Sequence, residues 1–414
     1  MPGSDTPPDG PTRRTGVATD EVRRHNLALV LHRLHLAGPL SRSRLASMTG
    51  LSRSTMADLI GELSSLDLVV EGPSLAPSGP GRPSPMVHTR SQGAVVLAIE
   101  LAVDSLAVAT VGLGGHVFDR RRLERSREHV SPEEAVQDVA ALARPLLDSL
   151  PPNHRLAGVG VGVAGITRRS DGLVHLAPNL GWRDAPIGRL LSKEFGGGQP
   201  VMVANEADLG ALAEHRRGGH AGVRHLIYIA GEVGIGTGVI VDGEPLLGAT
   251  GYAGEAGHAL INPGGWPCRC GATGCWETEA GEAALLRRTG SGDTATGLAA
   301  LDALGEKAEA GEGAVLAGMA EVGRWLGLGI GNLINLFNPE IVVLGGFYHR
   351  FYRFLAPAVG QGARSQALAA PWSRVMIVPS GLGADATLIG AAELALSPTI
   401  ADPAGAGRAP VFRR

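Results

Sequence analysis

Every cysteine in this chain falls within eight consecutive positions, at Cys268, Cys270 and Cys275, and His258 stands ten residues before the first of them. A disulfide framework spreads an even set of cysteines over distant segments, whereas three thiols crowded into one loop point to a metal. One imidazole and three thiolates complete a tetrahedron of the kind that zinc occupies in structural sites. Cys268-x-Cys270 supplies two ligands from one tight turn, and Gly271 and Gly274 let the backbone fold back to bring up Cys275. Such a set leaves no open position for a metal-bound water, so a bound Zn2+ is expected to brace the fold and not to catalyse. The alternative, free buried cysteines beside an unrelated histidine, leaves the gathering of every thiol into one loop unexplained.

At 414 residues the chain is long enough for two or three domains, and a 44% apolar content can fill sizeable cores. With 61 glycines and only 4% aromatic residues, it reads as a loop-rich α/β protein. The first residues, MPGSDTPPDGPTRRTG, contain no apolar segment of the signal-peptide type. The longest apolar stretches, 95–111 and 326–347, are interrupted by Glu100 and Asp104, and by Asn332, Asn335, Asn338 and Glu340. Neither is a membrane span, so a cytoplasmic location is expected.

Residues 1–19 are polar and Pro/Gly-rich without periodicity, and predict a disordered arm. From Asp20, Val22, Leu27, Val30, Leu31 and Leu34 recur at helical spacing until Gly38-Pro39 stops them. Ser41 opens a short helix, Arg42–Thr49, which Gly50 closes. Ser52 then caps a third helix carrying Met56, Leu59, Ile60, Leu63 and Leu66 on one face. A β-like run at 68–71, a Pro/Gly loop through Gly79-Pro80-Gly81-Arg82-Pro83 and a second run at 86–88 follow. That order predicts a winged helix-turn-helix over residues 20–90. Its third helix would present Ser52, Arg53, Ser54 and Thr55 to the major groove, with Arg82 on the wing. The net charge of −3 conceals a local pattern: Val22 to Arg53 holds six arginines, Arg42 and Arg44 among them, and no acidic residue. Asp58, Glu62, Asp67 and Glu71 are expected on the side away from DNA, leaving a basic face for phosphates. A docking module for another protein is the competing reading.

Beyond Gly93, strand-like runs (95–99, 106–111, 156–163, 201–204, 225–229, 238–241 and 341–344) alternate with helical ones (133–150, 207–215 and 314–336). This predicts two α/β lobes with a cleft between them over residues 91–398, followed by a flexible tail at 399–414.

Several motifs recur together: Gly254-Glu255-Ala-Gly257-His258, the Cys-x-Cys-Gly-x-x-Gly-Cys-x-Glu run ending at Glu277, and Val203-Ala-Asn205-Glu206-Ala207. With Ala177-Pro178-Asn179-Leu180-Gly-Trp182 and Ile341-Val-Val-Leu-Gly345-Gly346, they resemble the ROK family of repressors and sugar kinases from about residue 20 to 396. The resemblance implies a two-lobed actin/hexokinase-like (ribonuclease H-like) fold that binds sugar between its lobes, and ATP beside it in the kinases. It implies that Asn205, Glu206, Glu255, His258 and Glu277 contact the sugar, with Asn179 lining the same pocket. Glu206 stands where the kinases carry a catalytic aspartate, and His258 is expected to bind zinc by one nitrogen and face the sugar with the other. Carboxylates accept hydrogen bonds and donate none, which suits them to reading hydroxyl donors.

The kinase pattern is broken at the phosphates. Family kinases carry Asp-x-Gly-Gly-Thr where this chain has Glu100-Leu101-Ala102-Val103-Asp104, and Glu232 stands in the second phosphate loop. Lost glycines and added carboxylates both oppose an anionic nucleotide. The expectation is a sugar-responsive, DNA-binding repressor without kinase activity. It would bind a double-stranded operator and a sugar or sugar phosphate, as a homodimer or homotetramer. An ATP-dependent kinase for a hexose or N-acetylhexosamine is the rival.

Overall fold

The computed structural model describes residues 15–72, 85–125, 130–150, 156–195, 198–220, 222–291 and 296–406. They form two units, one of the described residues up to Gly93 with those from Pro398 onward, the other of Ala94–Ser397.

In the smaller unit, α1 (Thr15–Ala37) is followed by β1 (Leu40–Ser41), α2 (Arg42–Thr49), α3 (Arg53–Ser65), β2 (Val69–Gly72) and β3 (Met86–Thr89). Each boundary has a local cause. Gly38 turns α1 off in a left-handed conformation, its N–H donating to Leu34 O at 3.1 Å. Ser41 caps α2 by accepting from Arg44 N, and Gly50 ends it. Ser52 caps α3 by accepting from Thr55 N at 3.1 Å. Leu27, Leu31, Leu45, Met56, Ile60 and Val87 close the core under these helices. The sheet is antiparallel with β3 in the middle, order β1-β3-β2. Three helices and a small ribbon sheet are the layout of a winged helix-turn-helix.

Two boundaries differ from the expectation. The first helix begins at Thr15 and not at Asp20, since nothing in 15–19 forbids one more turn. The segment expected as a flexible tail is helical to Ala406, and its last turn, Pro403–Ala406, packs on α1 with Pro403 buried. Residues 407–414, most of the arm and Arg82 lie outside the described residues.

The larger unit opens with β4 (Val95–Leu101), β5 (Ser105–Gly112), β6 (His116–Glu124), α4 (Pro132–Asp148) and β7 (Leu156–Val163). A small ribbon of β8 (Ile166–Arg168), β9 (Leu173–Ala177) and β10 (Trp182–Ala185) precedes α5 (Ile187–Phe195), β11 (Val201–Asn205) and α6 (Glu206–Arg217). The first main sheet has the order β11-β7-β4-β5-β6, parallel from β11 to β4 and antiparallel beyond. Its buried strands alternate little because both faces are covered.

The second half runs β12 (Leu226–Gly231), β13 (Ile235–Val241), β14 (Glu244–Pro245), α7 (Trp276–Ala280), α8 (Glu282–Arg288), α9 (Leu298–Glu309) and α10 (Gly313–Phe337). Then come β15 (Ile341–Gly346), α11 (Phe347–Arg350), α12 (Tyr352–Gln366), β16 (Met376–Pro379) and α13 (Ala386–Ala401). This sheet has the order β14-β13-β12-β15-β16. Each sheet has its own core, one around Leu97, Val159 and Phe195, the other around Trp276, Leu326 and Tyr348. α13 lies so close on β7 that a Cβ at Gly160 would stand 1.9 Å from Ala391 O, so only glycine fits there. Two mixed sheets with helices over them, joined through α6 and α13, give the two-lobed α/β architecture. No described helix is long and apolar enough to cross a membrane.

Candidate metal centre and ligand cavity

The metal cluster sits in the long loop between β14 and α7. His258 belongs to a single helical turn, Ala256–His258, and its neighbour Leu260 bridges to Cys275. Pro267 bridges to Thr273, so the loop is a narrow antiparallel finger. Gly274 makes its return possible: φ is 76°, and a Cβ there would stand 1.7 Å from Asn262 O. Immediately after Cys275, Trp276 is buried in the second core and donates its Nε1–H to Trp325 O at 3.0 Å. The finger is therefore anchored at its base.

One ligand atom from each of His258, Cys268, Cys270 and Cys275 lies within 4.8 Å of all the others. Cys268 Sγ is 3.7 Å from His258 Nδ1, and Cys270 Sγ is 3.7 Å from Cys275 Sγ. Burial pushes the Cys268 and Cys275 thiols above the ordinary range, so a cation beside them is what would hold them as thiolates. Three thiols and an imidazole converging on one point fit a tetrahedral metal ion. The other imidazole nitrogen, Nε2, lies 4.0 Å from Glu255, while Nδ1 lies 3.6 Å from Glu277.

Beside this cluster is a cavity of about 190 Å³. Asn205, Glu206, Glu255, His258 and Glu277, drawn from three separate stretches of sequence, all line it, and so does Asn179. Asn205 is fixed by its own fold position: as the cap of α6 it accepts from Ala207 N at 2.8 Å and donates to Gly165 O at 3.0 Å. One amide hydrogen remains for a ligand. Glu206, the first residue of α6, is pushed up to about 8, first by burial and then by Glu100, Asp104 and Glu255. Glu255 is raised chiefly by burial.

A second cavity, about 300 Å³, shares Ala102, Asp104, Glu206 and Glu232 with the first. Glu100 and Glu282 add two more carboxylates to its wall. Burial raises Glu232 well above ordinary glutamates, and it raises Glu100 as well although Arg122 pairs with it at 2.8 Å. Burial of this kind favours the neutral form of a carboxyl, and each one that does ionise opposes an anion brought there.

In the smaller unit, Arg44, Ser52, Arg53 and Ser54 are exposed and Thr55 is half-buried. The Ser52 hydroxyl is occupied by its cap and by the Ser54 and Thr55 hydroxyls, each at 2.9 Å. Arg42 departs from the expectation of a free phosphate contact. Its guanidinium is held in a two-pronged pair with Glu71, at 2.5 and 2.6 Å, because β2 brings that acid back to α2. Glu62 likewise pairs with Arg23 at 2.7 Å.

Three cavity residues escaped the motif reading. Arg269, between two of the cysteines, lines the first cavity and donates to Asn179 at 2.5 Å. Asp208 and Thr237 line a small recess beside it. Position 208, two residues after Glu206 and on the same helix, was the one accessible signal.

The comparisons with known proteins agree in kind. The putative xylose repressor of Caldicellulosiruptor sp. (strain Rt8B.4) is 30% identical over 337 residues, 78% of this chain and 83% of the relative. The crystal structure of a ROK family transcriptional regulator, a homologue of the E. coli MLC protein, superimposes with a TM-score of 0.76 at 26% identity, covering 94% of this chain and 99% of that one. A ROK family glucokinase from Streptomyces griseus, solved with glucose and AMPPNP, gives 0.64 at 26% identity over 73% of this chain and 99% of its own. The model of the ROK family matches residues 96–397, and this chain belongs to the ROK family.

Proposed function

We propose that this chain is a sugar-responsive, DNA-binding transcriptional repressor that has lost sugar phosphorylation. One observation carries the reading: the five expected sugar contacts line one cavity, while the adjoining cavity is walled by Glu100, Asp104, Glu206, Glu232 and Glu282. A neutral polyol can hydrogen-bond these carboxyls whether they are ionised or protonated, and a nucleotide triphosphate meets each ionised one as a like charge. Phosphoryl transfer depends on positioning and charge neutralisation, and the two arginines of this wall, Arg122 and Arg350, are already paired with Glu100 and Asp302. The putative xylose repressor and the ROK regulator structure support the regulatory half of the reading.

His258 Nδ1 and the sulfurs of Cys268, Cys270 and Cys275 would hold a zinc ion, whose role is to fix the finger. His258 presents Nε2 to the ligand beside Glu255, and Glu277 follows the last cysteine by two residues. Asn205 and Glu206 arrive from α6 on the other side. On DNA, Arg44 and Arg53 would meet phosphates, with Ser52, Ser54 and Thr55 at the start of α3 nearest the bases. Arg42 acts through its pair with Glu71, orienting α2 against the ribbon. Two half-sites call for two copies of the reader, so the repressor acts as a homodimer or homotetramer in the cytoplasm.

Footprinting of the upstream DNA with and without D-xylose, D-glucose, N-acetyl-D-glucosamine and their phosphates tests the reading. Protection of an operator that one sugar alters is the expected result. Robust ADP release with any of these sugars and ATP would favour a kinase instead.

A further inference from the structure

Beside the ligand cavity of about 190 Å³, the larger of the two spaces that meet here, is a recess of about 20 Å³, lined by Asp208, Thr237, Tyr252 and Glu255 among others. It shares Ile166, Asn205, Gly236 and Glu255 with the larger cavity, so the two adjoin at residues expected to touch sugar. The Thr237 residue is only 5% exposed, and its Oγ1 has no hydrogen-bond partner among the described residues. A buried hydroxyl left unpaired is destabilising, and Thr237 lines a polar recess where a partner for it would fit. Asp208, 7% exposed, pairs with the Arg169 guanidinium at 3.3 Å, and burial pushes it up to about 6.

The lining selects the chemistry of the occupant. Asp208 and Glu255 accept, so the occupant donates. An anion such as a phosphate or carboxylate cannot donate and would face both acids. An ammonium would face Arg169, which already balances Asp208. A space of about 20 Å³ admits one oxygen-sized group, since about 10–15 Å³ holds a water, and rejects an acetamido group. A hydroxyl donates to a carboxylate and pairs with Thr237 in either sense.

We propose that this recess is a hydroxyl subsite of the sugar cavity, in which Thr237 and Asp208 hold one hydroxyl group against Glu255 and thereby set which sugars bind. It rests on the reading of the larger cavity as a sugar site. The hydroxyl has two sources, an ordered water or an exocyclic hydroxyl of the sugar itself. In both cases Thr237 is a specificity-determining residue, and a sugar substituted at the position facing Glu255 is excluded.

The test uses the full zinc-loaded chain. Calorimetric titration with D-xylose, D-glucose, N-acetyl-D-glucosamine and glucose 6-phosphate first identifies a binding sugar. Its monodeoxy analogues are then titrated into wild type, Thr237→Val and Thr237→Ser. Thr237→Val keeps the side-chain shape and is expected to weaken binding about 5–20-fold, with Thr237→Ser restoring most of it. If one deoxy analogue binds weakly to wild type and Thr237→Val weakens it no further, the sugar supplies the hydroxyl. An equal loss for every analogue assigns it to water. Unchanged affinity and unchanged selectivity in Thr237→Val overturn the proposal. If no sugar binds wild type, the reading of the larger cavity fails, and a high-resolution crystal structure decides the recess separately. An oxygen within hydrogen-bond reach of Thr237 Oγ1 and Asp208 supports the subsite, and a dry recess refutes it.

Discussion

Glu206→Gln removes a charge that the fold holds at a cost, and the structure sets the size of that cost. Burial, reinforced by Glu100, Asp104 and Glu255, lifts the Glu206 carboxyl from 4.5 to about 8. Between those values the folded protein keeps a proton that the unfolded chain has lost. Stability therefore falls as pH rises through the window. At about 1.4 kcal/mol for each tenfold change, the gap corresponds to about 5 kcal/mol at most. The proton is shared with Glu232, which burial also raises, and water reaches the open cavity, so about 2 kcal/mol is expected from the single substitution. Burial pulls His215 below 6.5, which acts in the opposite sense at lower pH. The informative range is thus pH 6.5 to 8. All five tryptophans, Trp182, Trp266, Trp276, Trp325 and Trp372, belong to the larger unit. Urea unfolding followed by their fluorescence reads that unit alone. Wild type should lose stability from pH 6.5 to 8, and Glu206→Gln should lose less and be the more stable protein at pH 8. Equal slopes for the two proteins, or a wild type that gains stability across this range, would refute the account of the acidic wall.

Chelation or Cys270→Ser should release about one zinc per chain by metal analysis and abolish the sugar response, while operator binding by the smaller unit persists. Gly274→Ala forces a left-handed backbone and a Cβ into Asn262 O. It should cost about 2 kcal/mol or more and lower metal occupancy, read by thermal unfolding and zinc content. Arg44→Glu and Arg53→Glu should each weaken operator binding at least about tenfold and flatten its salt dependence. Arg42→Ala should instead act first on the melting temperature, because its guanidinium belongs to Glu71.

The gathering of His258 with the three cysteines, the caps Ser41 and Ser52 and the main helices are legible because each depends on short-range spacing. Strand β6, His116–Glu124, is not, since it is an edge strand whose HVFDRRRLE sequence is nearly all exposed and carries no apolar alternation. The β8–β10 ribbon is too short to show a period. The Arg42–Glu71 pair is not legible for a related reason: charge along the chain does not show that the ribbon returns Glu71 to α2 from 29 positions away. Thr237 could not be singled out, because what marks it is an absent partner in three dimensions.

Asp104, Glu206 and Glu232 line both cavities, and this shared wall links two properties that the sequence presents as separate. Toward the sugar side a carboxylate costs nothing extra, because a polyol arrives with hydroxyl donors and no charge. Toward the other side a phosphate adds to the burial that already favours their protonated form, and each carboxyl that ionises about 4 Å from a phosphate oxygen costs about 4 kcal/mol at an effective dielectric near 20. Two such contacts already outweigh the binding free energy of a millimolar ligand, about 4 kcal/mol. One set of residues can therefore keep the sugar and refuse the nucleotide. On the proposed reading, loss of catalysis needed no damage to the sugar pocket, and the metal finger that carries His258 and leads to Glu277 stayed in use as its frame.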